Sequence, residues 1–196
     1  MIKPDITHVK DIHEFYKTLK GAQEGEHGRT YTGHHEALIK CAKECDVIRE
    51  LGVCQGGTLA ALLLTNPKKL TGIDVAPRYI APYKHHFEKY AKDNNIDFEF
   101  LEISSHDKES VGKCDMLHID SLHTPSHLMG ELKLHAKHVK KYIVFHDTAN
   151  EKGSRGLFKT IAEYITEHEQ QWAVVDHFIH NVGYTVIKRI NREEPK

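Results

Sequence analysis

Asp120 and Asp147 stand out in this 196-residue chain as side chains placed to do chemistry. Each follows a short apolar run, Met116-Leu117-His118-Ile119 before Asp120 and Tyr142-Ile143-Val144-Phe145-His146 before Asp147, that reads as a buried strand. If the two strands are neighbours, both carboxylates point into one crevice. Two such oxygens can hold a hard divalent cation such as Mg2+, which prefers oxygen ligands and would lower the pKa of a substrate hydroxyl. His123, three positions after Asp120, offers an imidazole, a base suited to taking a hydroxyl proton near neutral pH. Asp120 and His123 are therefore the expected catalytic pair, with Asp147 as their partner or as a metal ligand. His146 is expected to face away from Asp147, because side chains alternate along a strand. Two other readings stand beside this one. Aspartate is a favoured helix cap, so Asp120 and Asp147 could cap the helices that follow them. His123 and His127, with Asp120 and His146, could instead form a zinc site, although Pro125 at the helix start makes only half of that spacing helical.

A second constellation lies earlier, in Glu50-Leu51-Gly52-Val53-Cys54-Gln55-Gly56-Gly57-Thr58 and in Gly72-Ile73-Asp74-Val75. Glycines after a strand tolerate positive φ and let backbone come close to a ligand. The turn is not the dinucleotide fingerprint, since Cys54 stands where the second glycine would be, and no Gly-Lys-Ser/Thr follows to make a P-loop. A pyrophosphate ligand is disfavoured. An acid at the end of the next strand can accept hydrogen bonds from both ribose hydroxyls. Glycine turn and acid together point to an adenosine-type ligand; the plainer alternative is a structural turn and a capping aspartate.

These residues need a scaffold that brings strand ends together. Strands are expected over residues 47–51, 70–75, 98–103, 116–120, 142–146, 172–179 and 184–189, with helices over 58–64, 79–92, 126–138 and 156–168 between the earlier ones. Strand–helix alternation gives a parallel sheet with helices on both faces. The last two strands are joined through His180-Asn181-Val182-Gly183, which is hairpin chemistry. The expected fold is thus α/β, a mostly parallel seven-stranded Rossmann-like sheet with a C-terminal antiparallel hairpin. A single domain over 1–196 is expected, with residues 1–45 as an N-terminal helical or lid extension and 46–190 as the core. In the extension, helices are expected at 8–20 and 34–45, joined by a loop at 21–33 that holds four glycines. Gln23, Glu24, His27, Arg29 and Tyr31 of that loop could form a lid, and Gly153-Ser154-Arg155-Gly156 is placed to border the crevice after Asp147.

The glycine turn and the Thr-Gly-Ile-Asp-Val segment resemble motifs I and II of class I S-adenosylmethionine-dependent methyltransferases. The strands ending in Asp120 and Asp147, with Trp172 and Asn181-Val182-Gly183-Tyr184-Thr185-Val186, resemble the branch that holds cephalosporin-hydroxylase-like and macrocin O-methyltransferase-like proteins. The resemblance covers about residues 34–190. It implies S-adenosylmethionine as cofactor and a small-molecule acceptor, methylated on a hydroxyl oxygen. It places Glu50 and Gly52 against the methionine part, Asp74 on the ribose and Ser104 or Ser105 near the adenine, with Gly56 and Asp120 also among the cofactor contacts. In the catechol-type O-methyltransferases a similar pair of acids binds a metal with a third Asp or Asn directly after the second acid; here that position is Thr148. A lysine base in those enzymes resembles the position of His123.

Composition is ordinary for a soluble protein. The 27 basic and 28 acidic side chains give a net charge of -1, which offers no general attraction for nucleic acid. The longest apolar run, Leu59 to Leu64, is far short of the ~20 residues that cross a membrane. No secretion signal is seen at the start, and the four cysteines form no Cys-x-x-Cys pair, so reduced thiols and a cytoplasmic location are expected. The 17 histidines are scattered, and many are expected on the surface. The sequence leaves a homo-oligomer open. Rival readings on the same fold are aminopropyl transfer, oxidoreductase chemistry, or a non-catalytic cofactor-binding or interaction protein.

Overall fold

Asp11 starts the first helix: its Oδ1 accepts the backbone N–H groups of His13 and Glu14 at 2.8 and 2.9 Å, the work of an N-cap. In the computed structural model, which describes residues 6–24, 34–149 and 156–190, this helix, α1, runs Ile12–Glu24. It begins later than the expected 8–20 and continues through Gly21, whose Cα faces open space. The lid candidates His27, Arg29 and Tyr31 lie outside the described residues, as do Gly153, Ser154 and Arg155. Helix α2 follows at His34–Ala42.

The core alternates β1 (Val47–Leu51), α3 (Gly57–Leu63), β2 (Lys69–Ile73), α4 (Lys84–Asp93), β3 (Asp97–Leu101), β4 (Cys114–Ile119), α5 (Pro125–His135), β5 (Val139–His146), α6 (Leu157–Glu167), β6 (Trp172–Phe178) and β7 (Tyr184–Arg189). Helix α4 starts five residues later than expected, because Pro77 and Pro82 each open a short 3-10 turn before it. The seven strands form one sheet in the order β3-β2-β1-β4-β5-β7-β6. β1 to β5 are parallel, and β7 lies antiparallel between β5 and β6. This is the expected Rossmann-like α/β sheet with its terminal hairpin.

Two apolar layers cover the sheet. One joins Ile48, Met116 and Val144 to Phe15, Leu38, Leu59 and Phe87 of α1 to α4; the other joins Leu51, Leu117, Ile143 and Phe145 to Leu128, Leu132 and Ile161 of α5 and α6. Strand alternation then assigns Glu50, His118 and His146 to the α1–α4 side. The order 3-2-1-4-5 reverses between β1 and β4, and a doubly wound sheet opens a ligand crevice at that point, beyond the carboxyl ends of its strands. No helix among the described residues is long and apolar enough to cross a membrane.

Candidate active site

At the switch point the turn after β1 lies against the residues that follow β4. Gly52 has φ +83°, and a Cβ there would stand 2.1 Å from the Asp120 carbonyl oxygen. Glycine is needed at 52 because the two strand ends touch. Asp74, directly after β2, holds the same turn from the other side: Oδ2 accepts the N–H groups of Val53 and Cys54 at 2.8 Å each, and Oδ1 accepts that of Ala76 at 2.7 Å. Three donors leave an ionised carboxylate about one of its four acceptor positions for a ligand. Beyond this turn opens a cleft of about 290 Å³, walled by Gly52, Cys54, Asp74, Ser104, Ser105 and Asp120 among others. The cleft thus brings together four of the expected cofactor contacts: Gly52, Asp74, Ser105 and Asp120.

Glu50 and Gly56 are placed otherwise. Gly56 packs beneath the turn, where a Cβ would meet Ile80 and Phe87 at 3.1 Å. Glu50 is fully buried, with Oε1 2.9 Å from Nδ1 of His118, its register neighbour on β4. Its other oxygen has no hydrogen-bond partner among the described residues. Burial pushes the Glu50 carboxyl up, against the bond to His118. The Cys54 thiol is also pushed up by burial, so it packs as a thiol and is no nucleophile. All four cysteines are free.

Asp120 and Asp147 follow adjacent strands, and two histidines bridge them. Nε2 of His123 lies 3.3 Å from Asp120 Oδ1 and 3.0 Å from Asp147 Oδ2. Nδ1 of His146 lies 3.3 and 2.9 Å from the same two oxygens. The expectation that His146 faces away from Asp147 is overturned. β5 ends at His146, and Asp147 adopts a left-handed conformation, φ +57°, which turns its side chain back across the strand end and breaks the alternation. The capping reading of the two aspartates fails as well, since α5 and α6 begin after Thr124 and Gly156. The zinc grouping separates: His127 turns to Ser105 and Glu131, away from His123.

Electrostatics fit the bridge. Burial would raise the Asp120 carboxyl, but the His146 charge and the bonds from His123 and His146 hold it well below the usual range. Burial would likewise lower His146, yet Asp120 and Asp147 raise it to about 10. The His123 imidazole is raised, first by its bond to Asp120. At neutral pH His146 is therefore an imidazolium between two carboxylates, 3% exposed.

Sequence reasoning missed a set of buried histidines. His34, His35, His118, His135 and His146 are buried, while the other described histidines are partly or fully exposed. The ring of His34 stacks on Tyr184 at 4.9 Å and meets His146 edge-on at 6.0 Å. A signal for His118 existed: it stands two residues before Asp120, as Glu50 stands two before Gly52, so both share a face of adjacent strands. Thr148 is buried and its hydroxyl accepts that of Thr185 at 2.8 Å.

No protein-family profile and no curated protein matches the sequence. Solved structures do match in fold. An O-methyltransferase from Bacillus cereus in complex with SAH aligns at TM-score 0.58 and 11% identity, over 95% of this chain and 94% of that one. The O-methyltransferase TomG from Streptomyces achromogenes, involved in tomaymycin synthesis and in complex with SAM, aligns at 0.60 and 11%, over 94% and 93%. A ribosomal protein L11 methylase from Lactobacillus delbrueckii subsp. bulgaricus aligns at 0.58 and 14%, over 83% and 82%. At such identities the likeness is one of fold.

Proposed function

We propose that this chain transfers the methyl group of S-adenosylmethionine to a hydroxyl oxygen of a small molecule. The observation that carries the reading is the junction of two sites at one switch point: an adenosine-type cleft under Asp74 opens beside the Asp120–His123–His146–Asp147 cluster. The methyltransferases of the same fold crystallised with SAM or SAH support it.

The residues fit the cofactor. Asp74 keeps acceptor capacity for a ribose hydroxyl after holding the turn. Ser104 and Ser105 border the cleft where an adenine would lie, and the unpartnered oxygen of buried Glu50 under the turn suits the ammonium of the methionine part. When bound, the cofactor supplies an electrophilic methyl on a sulfonium that leaves as a neutral thioether. Positioning the two reactants can by itself supply about 7–11 kcal/mol of such a barrier.

His123 does the proton chemistry in this reading. It is 39% exposed on its side chain, so it can reach a bound acceptor, and its Nε2 sits at the carboxylate pair. As the acceptor oxygen forms its new bond to carbon, its proton passes to His123. Asp120 and Asp147 then stabilise the imidazolium formed, the part an orienting carboxylate plays in hydrolytic triads.

The donor set argues against magnesium. Mg2+ wants a near-octahedral set of oxygens. Here the carboxylates already share the cationic His146, and Thr148, at the position of a third oxygen ligand, is committed to Thr185. His146 supplies the positive charge that a metal would bring, and we route no step through Mg2+.

The test is transfer of isotope-labelled methyl from S-adenosylmethionine to a panel of hydroxylated small molecules, with His123→Ala alongside. Labelled methyl ether formed by the wild type and lost in the variant is the expected result. Label appearing on nitrogen, or in equal yield in the variant, would overturn the assignment.

A further inference from the structure

Where α5 meets the segment after β3, a second cluster of side chains gathers around one buried carboxylate. Glu131 of α5 is fully buried, and no basic side chain other than histidine pairs with it among the described contacts. Its Oε1 accepts the Ser121 hydroxyl at 2.6 Å and lies 3.2 Å from Nε2 of His127, one helical turn earlier. Its Oε2 has no hydrogen-bond partner among the described residues. His106, from the segment after β3, stacks on His127 with ring centroids 4.2 Å apart. One donor atom from each of His106, His127 and Glu131 falls within 4.8 Å of the others.

We infer that His106, His127 and Glu131 hold a divalent transition-metal ion of the zinc type. A carboxylate oxygen and an imidazole nitrogen 3.2 Å apart need a positive centre between them, either the imidazole's own N–H proton or a metal ion. A proton serves for that pair, but it leaves Glu131 Oε2 unpartnered among the described residues while a third donor, from His106, lies within reach. Two imidazoles and one carboxylate are a zinc donor set, and bonds of about 2.0–2.1 Å in a tetrahedron put neighbouring ligand atoms about 3.3 Å apart. Mg2+ and Ca2+ would prefer oxygens.

The surroundings are built to hold the third ligand in place. A Cβ on Gly130 would stand 2.4 Å from Cε1 of His106, so the ring lies directly on the bare backbone of α5. His106 N–H donates to Ser104 Oγ at 3.1 Å, and Ser104 N–H donates to Asp107 at 3.0 Å, which fixes the segment that carries the ring. His135, a second turn along α5, meets the Ser105 carbonyl at 2.7 Å. His106 is exposed while Glu131 is buried, so the fourth position faces outward. An ion there would tie the segment after β3 to α5 across the wall of the cleft. The inference does not depend on methyl transfer.

The test uses the full, tag-free chain, stripped with EDTA and titrated with Zn2+ alone against a chromophoric chelator, with Co2+ loading read in the visible spectrum. One tight equivalent per chain and a four-coordinate Co2+ spectrum are expected. His106→Ala, at an exposed position that leaves the fold alone, should weaken binding by at least about tenfold, the least that loss of even an indirect metal contact costs. Gly130→Ala should do the same while favouring the helix itself. Glu131→Gln should abolish the site, and Asp147→Asn should leave it intact. Glu131 also borders a small void shared with Asp120, His123 and His146, so the last control separates the two clusters. No tight equivalent in the wild type would overturn the inference. So would an equivalent that survives His106→Ala, or one lost in Asp147→Asn.

Discussion

The β1–β2 end of the crevice and the β4–β5 end are built by different means. At the first, a single carboxylate, Asp74, gathers three backbone N–H groups, and glycine at 52 lets strand ends touch. At the second, four side chains from two segments share charge: Asp120, His123, His146 and Asp147. A backbone-built end offers shape and direction to a ligand whatever the pH. A side-chain-built end can take up and release protons. Binding should therefore be the property of the first end, and chemistry that of the second, with variants at one leaving the other largely unmoved.

The largest separation is expected from His123→Ala. Loss of a general base costs about 10²- to 10⁴-fold in rate, and cofactor affinity should stay within about twofold, since His123 is not among the residues lining the cleft. A comparable loss of affinity measured by calorimetry would break the division. His123 also sets the pH profile. The base must be neutral to accept a proton, and the neighbouring carboxylates raise its pKa above the usual value for histidine, 6.5. kcat/KM should then rise with pH through a pKa above 6.5. A profile that falls over that range would assign the proton transfer elsewhere.

His146→Ala tests the charge at the second end. Breaking a buried pair costs about 3–5 kcal/mol, and here one change strips the imidazolium from two carboxylates. Urea denaturation should show a loss of that order, and added Mg2+ should then recover part of it by joining the two freed acids. In the wild type, added Mg2+ should change turnover by less than about twofold, far below what a catalytic metal supplies.

Gly52→Ala probes the first end. The added carbon would meet the Asp120 carbonyl and force a positive φ on alanine, a strain of about 1–3 kcal/mol before any clash. Cofactor affinity should fall with it, because the turn must move. Thr148→Val is the smallest change. It removes the acceptor for the Thr185 hydroxyl, worth about 0.5–1.5 kcal/mol. Turnover should stay at wild-type level; a drop of tenfold or more would return Thr148 to the reaction.

The two ends also differ in how far the sequence reveals them. Gly52, Asp74 and Asp120 declare themselves, since a glycine turn and an acid at a strand end are local patterns and local patterns need no tertiary knowledge. The mostly parallel sheet and its terminal hairpin follow from the alternation of elements and from the turn signal at His180–Gly183. His146 was misread because alternation holds only while the strand lasts, and Asp147 leaves it with φ +57°. The His106–His127–Glu131 grouping was beyond reach, for it joins residues from either side of β4 through a contact that only packing creates. His127 was paired with His123 by spacing, but Pro125 begins α5 between them, so only His127 shares a helix face with Glu131.

The most direct test of the account is calorimetric titration of the chain with S-adenosylmethionine and with S-adenosylhomocysteine, repeated with Asp74→Ala. The account predicts one site per chain of micromolar affinity for each ligand, lost in the variant, because the ribose carboxylate and the turn it holds go together. No heat from either ligand with the wild type, or undiminished binding by Asp74→Ala, would contradict it.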